Sequence, residues 1–244
     1  AMSVAIRFRR VLLKMSGEVL KGDAAFGIQP DAVVVAAKRV KELVDLGTEV
    51  ALVIGAGNLF RGQAASRQGM DRSAADQMGM LATIMNALAM RDALESVGAP
   101  AEILSALPIP GVVEGFDYRV ANRLLTAGKV VLFAAGTGHP YFTTDTTAAL
   151  RACEIKADAV LKGTQVDGVY TDDPKSNPDA TRFAQISYSE ALARRLKVMD
   201  STAFSLCMDN DVPIVVFNFS HDAVLADVVK GDLSQATLVC SDPS

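Results

Sequence analysis

The sequence predicts an α/β protein, a three-layer α/β/α sandwich with a mostly parallel central sheet. Three observations carry that expectation. Short aliphatic runs alternate with longer segments of helical pattern from one end of the chain to the other. The runs are continuously apolar rather than alternating, as strands covered on both faces must be. Gly47, Gly98, Gly128 and Gly231 stand just after four of the helical segments, where a left-handed residue closes a last turn.

Taken in order, Val11 to Leu13 leads into a helix over Asp31 to Leu46, and Val50 to Ile54 into a long one near Arg72 to Ser96. Ile103-Leu104 precedes Asp117 to Thr126, and Val130 to Ala134 precedes a helix from about Asp145 to Glu154. Ala159 to Leu161 follows, then Ile214 to Phe217 and a helix over Ala223 to Lys230, with Ser220 as its cap. Met78 to Met90 is the most membrane-like stretch, but it is too short to span a bilayer and is bounded by Asp76 and Arg91-Asp92, so it reads as a buried helix. Gly163 to Gln185 is the one long irregular segment, ending where Ser187-Tyr188-Ser189-Glu190 supplies a capping box for another helix. A loop of that length in a compact domain is usually functional or mobile. Nothing resembling a linker or a repeat divides the chain, so residues 1–244 read as a single domain.

Composition narrows the function classes. Half the residues are hydrophobic, 21% are charged and Trp is absent, so the core is aliphatic and the chain is folded rather than disordered. The net charge is −4 and no basic run exceeds Arg9-Arg10, which argues against a nucleic-acid footprint and against a basic membrane face. Small molecules and further copies of the chain are the partners that remain. Cys153, Cys207 and Cys240 are widely spaced and form no metal or redox motif; buried reduced thiols in the cytoplasm are the expectation. Arg7, Arg9, Arg10 and Lys14 interrupt any signal-like apolar region, and Ala1 ahead of Met2 reads as an added remnant.

Four polar or glycine-rich segments begin where strands should end: Lys14-Met15-Ser16-Gly17, Gly55-Ala56-Gly57-Asn58, Gly136-Thr137-Gly138 and Lys162-Gly163-Thr164. In open α/β sheets ligands bind beyond the carboxyl ends of the strands, so the four should converge on one crevice. Small residues let backbone N–H groups approach a phosphate, and two lysines add point charges. Together they describe a polyphosphate site. Singly each is weak: a terminal lysine is commonly just solvated, and Gly-x-Gly is commonly a tight turn. Asp145 and Asp76 both also read as ordinary acids near a helix start. The Walker and dinucleotide fingerprints are missing, with Phe60 and Tyr141 where the third glycine of G-x-G-x-x-G would fall.

The longer motifs carry a resemblance. Leu12-Leu13-Lys14-Met15-Ser16-Gly17-Glu18, Gly57-Asn58-Leu59-Phe60-Arg61-Gly62, Asp76-Gln77-Met78-Gly79-Met80-Leu81-Ala82-Thr83 and Thr137-Gly138-His139-Pro140-Tyr141-Phe142-Thr143-Thr144-Asp145 resemble the signatures of the bacterial UMP kinase family, a branch of the amino-acid kinases. So do Val166-Asp167-Gly168-Val169-Tyr170 with Asp173-Pro174, and Lys197-Val198-Met199-Asp200. The likeness implies transfer of the γ-phosphoryl group of ATP to UMP in pyrimidine nucleotide synthesis, with Mg2+ held mainly by the phosphates. It implies catalytic Lys14, Asp145 and Lys162, with Lys14, Met15, Ser16, Gly17, Gly57, Arg61, Thr164, Tyr170 and Asp173 around ATP. It implies Ala56, Asp76, Thr137, Gly138, His139, Pro140, Tyr141, Phe142, Thr143 and Thr144 around UMP. Residues 1–150 would then be mainly the UMP half and 151–244 mainly the ATP half. His221 has no role in this reading.

Family members are similar in assembling as hexamers and in answering to UTP as inhibitor and GTP as activator. The matching effector segments are Arg91, Asp92, Glu102, Tyr118 and Lys129, but Glu95 and Glu102 stand where relatives carry His and Arg. Two carboxylates facing a triphosphate imply a weak response to GTP. Gly55-Ala56-Gly57 also departs from the family's three glycines; a left-handed backbone at Ala56 would be strained. Two other readings stay open: an amino-acid kinase acting on carbamate or a carboxylate with the same lysines, and a non-catalytic nucleotide sensor.

Overall fold

The computed structural model describes residues 5–241, so Ala1 and Met2 lie outside the described residues. In chain order the elements are β1 (Arg10–Met15), α1 (Pro30–Asp45), β2 (Glu49–Ile54), α2 (Gly62–Arg67), α3 (Arg72–Ser96), β3 (Ala101–Ser105), β4 (Glu114–Gly115), α4 (Tyr118–Thr126), β5 (Val130–Ala134), α5 (Thr144–Glu154), β6 (Ala159–Thr164), β7 (Gln185–Ser187), α6 (Tyr188–Ala193), α7 (Ser201–Asp209), β8 (Ile214–Asn218), α8 (Val224–Lys230) and β9 (Ala236–Cys240). They build one 9-stranded sheet in the order β4-β3-β5-β2-β1-β6-β8-β9-β7. Every pairing is parallel except β8 with β9.

Alternate residues of each buried strand feed two separate cores. Leu13, Leu52, Leu132 and Leu161 point to one face, where α1, α3 and α8 contribute Val40, Leu43, Met90, Leu94 and Val228. Leu12, Val53, Val131 and Val160 point to the other, against Leu125 of α4, Ala148, Ala149 and Ala152 of α5, and Phe204 of α7. Burying both faces of a parallel sheet in this way completes the three-layer sandwich. The alanines of α5 are fully buried; their small size lets that helix lie close over β1 and β2.

Gly47, Gly98, Gly128 and Gly231 all have positive φ. Other expectations need correction. Met80, Ile84, Ala87 and Met90 of α3 are buried, but Met78, Leu81 and Met85 are 45%, 50% and 55% exposed. An apolar run on a helix has two faces, and only one meets the sheet. Of the thiols Cys207 alone is buried, Cys153 and Cys240 being partly exposed. Ser220 does not cap α8: its hydroxyl donates to Asn218 Oδ1 at 2.5 Å, and the cap position is Ala223 with φ 65°. Ser187 does cap α6, accepting from Glu190 N at 3.1 Å, but the Glu190 carboxylate turns to Arg194, so the box is half formed.

Candidate active site

Strand register places the two lysines. Lys14 and Lys162 are direct partners on the adjacent parallel strands β1 and β6. Each follows a residue of the α5-side core by two positions, Leu12 and Val160, so both side chains leave the sheet on that side. There α5 delivers a carboxylate from its first turn. Asp145 Oδ1 lies 3.0 Å from Lys14 Nζ and Oδ2 3.1 Å from Lys162 Nζ. Lys162 Nζ also donates to Val198 O at 2.7 Å. Burial alone would raise the Asp145 pKa, but the two ammonium groups outweigh it and hold the carboxyl below its ordinary value. Burial depresses Lys162 below the usual lysine range, with Asp145 opposing and Lys14 assisting that shift.

The strands that carry the four polar segments, β5, β2, β1 and β6, are consecutive in the sheet. Their carboxyl ends therefore bring all four segments together. Gly17 is the tightest point: a Cβ there would sit 2.3 Å from both Asn58 Oδ1 and Gly55 O. Ser16 caps the short turn of 3-10 helix that follows, accepting from Glu18 N at 3.2 Å. Beneath this contact two buried amides pair reciprocally. Asn86 of α3 donates to Asn58 Oδ1 and to Gly55 O, both at 2.8 Å, and Asn58 donates back to Asn86 Oδ1 and to Gly27 O, both at 2.9 Å. Neither asparagine entered the sequence reading as a site residue; a polar residue inside the apolar run of α3 was the available signal.

A cavity of about 440 Å3 opens beyond β2 and β5. Ala56, Gly57, Arg61, Asp76, Thr137, His139, Phe142, Thr143 and Thr144 line it, together with Arg72. Gly138, Pro140 and Tyr141 belong to the same loop without lining the cavity. Asp76 is not a helix cap: Asp71 holds that position, accepting from Ala74 N at 2.9 Å. Instead Asp76 Oδ2 accepts from Arg72 Nε at 2.8 Å and from Tyr141 N at 2.7 Å. Tyr141 has φ 72° and its ring lies under the Arg72 guanidinium. Arg61 forms an ion pair with Glu18. Ala56 is not among the residues with positive φ, so its methyl group causes no backbone strain.

Thr164 ends β6, two residues beyond Lys162, and Tyr170 and Asp173 lie in the segment after it. Thr164 Oγ1 donates to Val166 O at 2.7 Å, and Tyr170 OH to Asp167 Oδ1 at 2.5 Å. Away from these groups, Glu102 pairs with Lys129 at 3.0 Å, while Glu95 accepts from Ala101 N at 2.9 Å and so is turned to its own backbone. Tyr118 is 53% exposed. Arg91 is partly buried and Asp92 exposed.

Two ammonium groups bridged by one carboxylate, at strand ends whose glycines admit close backbone approach, define an α/β protein built to handle phosphoryl groups. The profile of the amino acid kinase family matches residues 9–218, and the chain belongs to that family. It is 53% identical over 232 residues to a uridylate kinase from a Shewanella species, covering 95% of this chain and 94% of that one. Among solved structures it is similar to UMP kinase from Bacillus anthracis, with TM-score 0.92, 36% identity and 97% of each chain covered. UMP kinase from Ureaplasma parvum aligns with TM-score 0.91 and 37% identity over 97% of this chain and 100% of that one.

Proposed function

We propose that the protein is a UMP kinase, transferring the γ-phosphoryl group of ATP to UMP to give UDP and ADP. The observation that carries this reading is the Lys14–Asp145–Lys162 bridge beside a cavity with Asp76 in its wall. Phosphoryl transfer asks a protein for positioning and for charge stabilisation. Lys14 and Lys162 take the negative charge that develops on the transferring oxygens, and Asp145 keeps both ammonium groups in place. Met15, Ser16 and Gly17 offer backbone to the ATP phosphates, with Gly57 and Arg61 beside them; Thr164, Tyr170 and Asp173 hold the adenosine. Asp76 accepts the ribose hydroxyls of UMP in charge-assisted bonds, while the Thr137–Thr144 loop, with its exposed Tyr141 and Phe142, takes the base; Ala56 stands against the UMP phosphate. The cavity is lined only by residues between 53 and 144, which supports an acceptor half in the first 150 residues and a donor half after them.

Magnesium bound to the ATP phosphates supplies further neutralisation of their charge. With Asp145 already engaged by both lysines, we propose that phosphate oxygens would be the main ligands of that ion. Among the described residues, no helix is long and apolar enough to cross a membrane; we place the enzyme in the cytoplasm, as a homohexamer in pyrimidine nucleotide synthesis, with UTP as inhibitor. GTP is proposed as an activator near Arg91, Asp92, Glu102, Tyr118 and Lys129. Lys129 is already neutralised by Glu102, so activation is weak, and Glu102→Arg strengthens it; titration of turnover with GTP checks this.

An ADP-release assay with UMP, CMP, dTMP, AMP and carbamate tests the function. UMP is the best acceptor; turnover of CMP or carbamate with UMP inert overturns the assignment. No turnover of any acceptor would return the sensor reading.

A further inference from the structure

Asp200 ends the Lys197-Val198-Met199-Asp200 motif, to which no role has yet been attached. It caps α7, accepting from Ala203 N at 3.0 Å. Its carboxylate does more than that cap requires. Thr143 Oγ1 donates to Asp200 Oδ2, and Thr146 Oγ1 donates to Oδ1 at 3.3 Å. Thr143 is itself the cap of α5, accepting from Thr146 N at 3.2 Å. One carboxylate thus grips the start of the helix that carries Asp145. The backbone closes the same circuit: Asp200 N donates to Asp145 Oδ2 at 3.3 Å, and Val198 O, two residues earlier, accepts from Lys162 Nζ. Thr143 and Thr144 line the acceptor cavity, whereas Lys162 stands on the donor side.

We infer that Asp200 is a positioning residue for phosphoryl transfer, clamping the acceptor loop, Asp145 and Lys162 into one rigid unit. The inference rests on the proposed kinase reaction and assigns Asp200 no contact with substrate. Its negative charge also favours the protonated Lys162, as do Asp145 and the Val198 carbonyl, against the opposing charge of Lys14 and the effect of burial. Loss of the carboxylate therefore acts twice. It loosens the start of α5, and it makes the Lys162 ammonium easier to deprotonate.

Asp200→Asn is the direct test, with Asp200→Ser read in its place if the amide variant does not fold, because serine preserves the α7 cap. Three measurements are made on wild type and variant: kcat with both KM values, the alkaline limb of kcat against pH, and pH-dependent acylation of the Lys162 amine read by mass spectrometry. The variant is expected to lose up to about a hundredfold in kcat, the scale of a small misplacement of reacting groups. Its alkaline limb and its Lys162 labelling curve should both move to lower pH, with the KM for ATP little changed. A variant with wild-type kcat and unmoved pH curves, merely less heat-stable, overturns the inference and leaves Asp200 a simple cap. The labelling needs no turnover, so an inactive wild type would count against the kinase reading while the labelling shift still judged the clamp.

Discussion

On the proposed acceptor side Asp76 and Thr83 stand on α3 and hold the loop beyond β5 by contacts that cross the fold. Tyr141 N reaches Asp76 over 65 residues of sequence, and Ala135 N reaches Thr83 Oγ1 over 52, at 2.7 and 2.9 Å. On the donor side the stretch 171–181 bonds to itself, while the residues flanking it are tied toward β9 by Val169 N to Thr237 Oγ1 at 2.9 Å and Arg182 Nη2 to Ser234 O at 2.7 Å. Asp173 N to Asp172, Lys175 N to Asp173 and Asn177 Nδ2 to Asp172 span 1, 2 and 5 residues. Local bonds can open together without disturbing the core, whereas long-range bonds open only when the elements that carry them separate. In the proposed reaction the acceptor would thus meet a preformed surface, and the nucleoside of the donor a segment free to adjust.

The widest effect should come where the two sides meet. Lys14→Ala or Lys162→Ala removes a charge that acts mainly in the transition state, so kcat should fall by roughly 10²–10³-fold with both KM values changed far less. Turnover near wild type at saturating substrates would remove that residue from the reaction. The pH profile sharpens this. Burial depresses Lys162 below the ordinary lysine value of 10.5, so activity should fall as pH rises through a value lower than an ordinary lysine's. Over the window between the depressed value and 10.5 the unfolded chain binds the extra proton, and stability from this group rises with pH. Asp145 has the same sign of pH dependence in a lower window: its stabilising charge is fully present above 3.8 and is lost as pH drops through its lowered value.

Asp76→Ala probes the rigid side alone. Loss of charge-assisted ribose contacts, worth about 1.5–3 kcal/mol, should raise the KM for UMP roughly ten- to a hundredfold and leave that for ATP nearly unchanged. An unaltered KM for UMP would reduce Asp76 to an anchor for Arg72 and Tyr141. Asp173→Ala probes the adjustable side and should do least. Asp173 is exposed, and with its contacts weakened by solvent to about 0.5–1.5 kcal/mol the KM for ATP should rise by roughly two- to tenfold, with UMP binding unaffected. An equal rise for UMP would mean that the two sides are one mechanical unit, and the contrast between them would be lost.

Much of this was legible in residues alone, and what was hidden has physical causes. The parallel sheet showed in its apolar runs because burial on both faces leaves no alternation to misread. The meeting of four segments followed from strand ends, a property of the architecture rather than of any one residue. Strands Glu114–Gly115 and Gln185–Ser187 went unseen because they are short and form the two edges of the sheet, where neighbours rather than composition decide; Ala236–Cys240 also went unseen, although it is as long as Val130–Ala134. The α7 helix was equally silent. Asp76 looked like a cap because position along a helix is visible in sequence, while its partners Arg72 and Tyr141 become evident only after folding. The same holds for the Asn58–Asn86 pair and for Asp200, whose partners are 28 and 57 residues away.

The register of Lys14 against Lys162 turns the sheet into a gauge. Neighbouring strands run about 4.8 Å apart whatever side chains they bear, so the separation of the two lysine backbones is fixed by the peptide itself. A slip of one residue would aim a lysine at the opposite face, and the hydrophobic cost of moving a whole strand's side chains guards against it. Cargo at the loops can therefore be exchanged without recalibrating the distance between the charges. An enzyme re-engineered for a different acceptor would keep its two-lysine caliper provided β1 and β6 are left alone, and the place to cut is beyond Gly17 and Gly55.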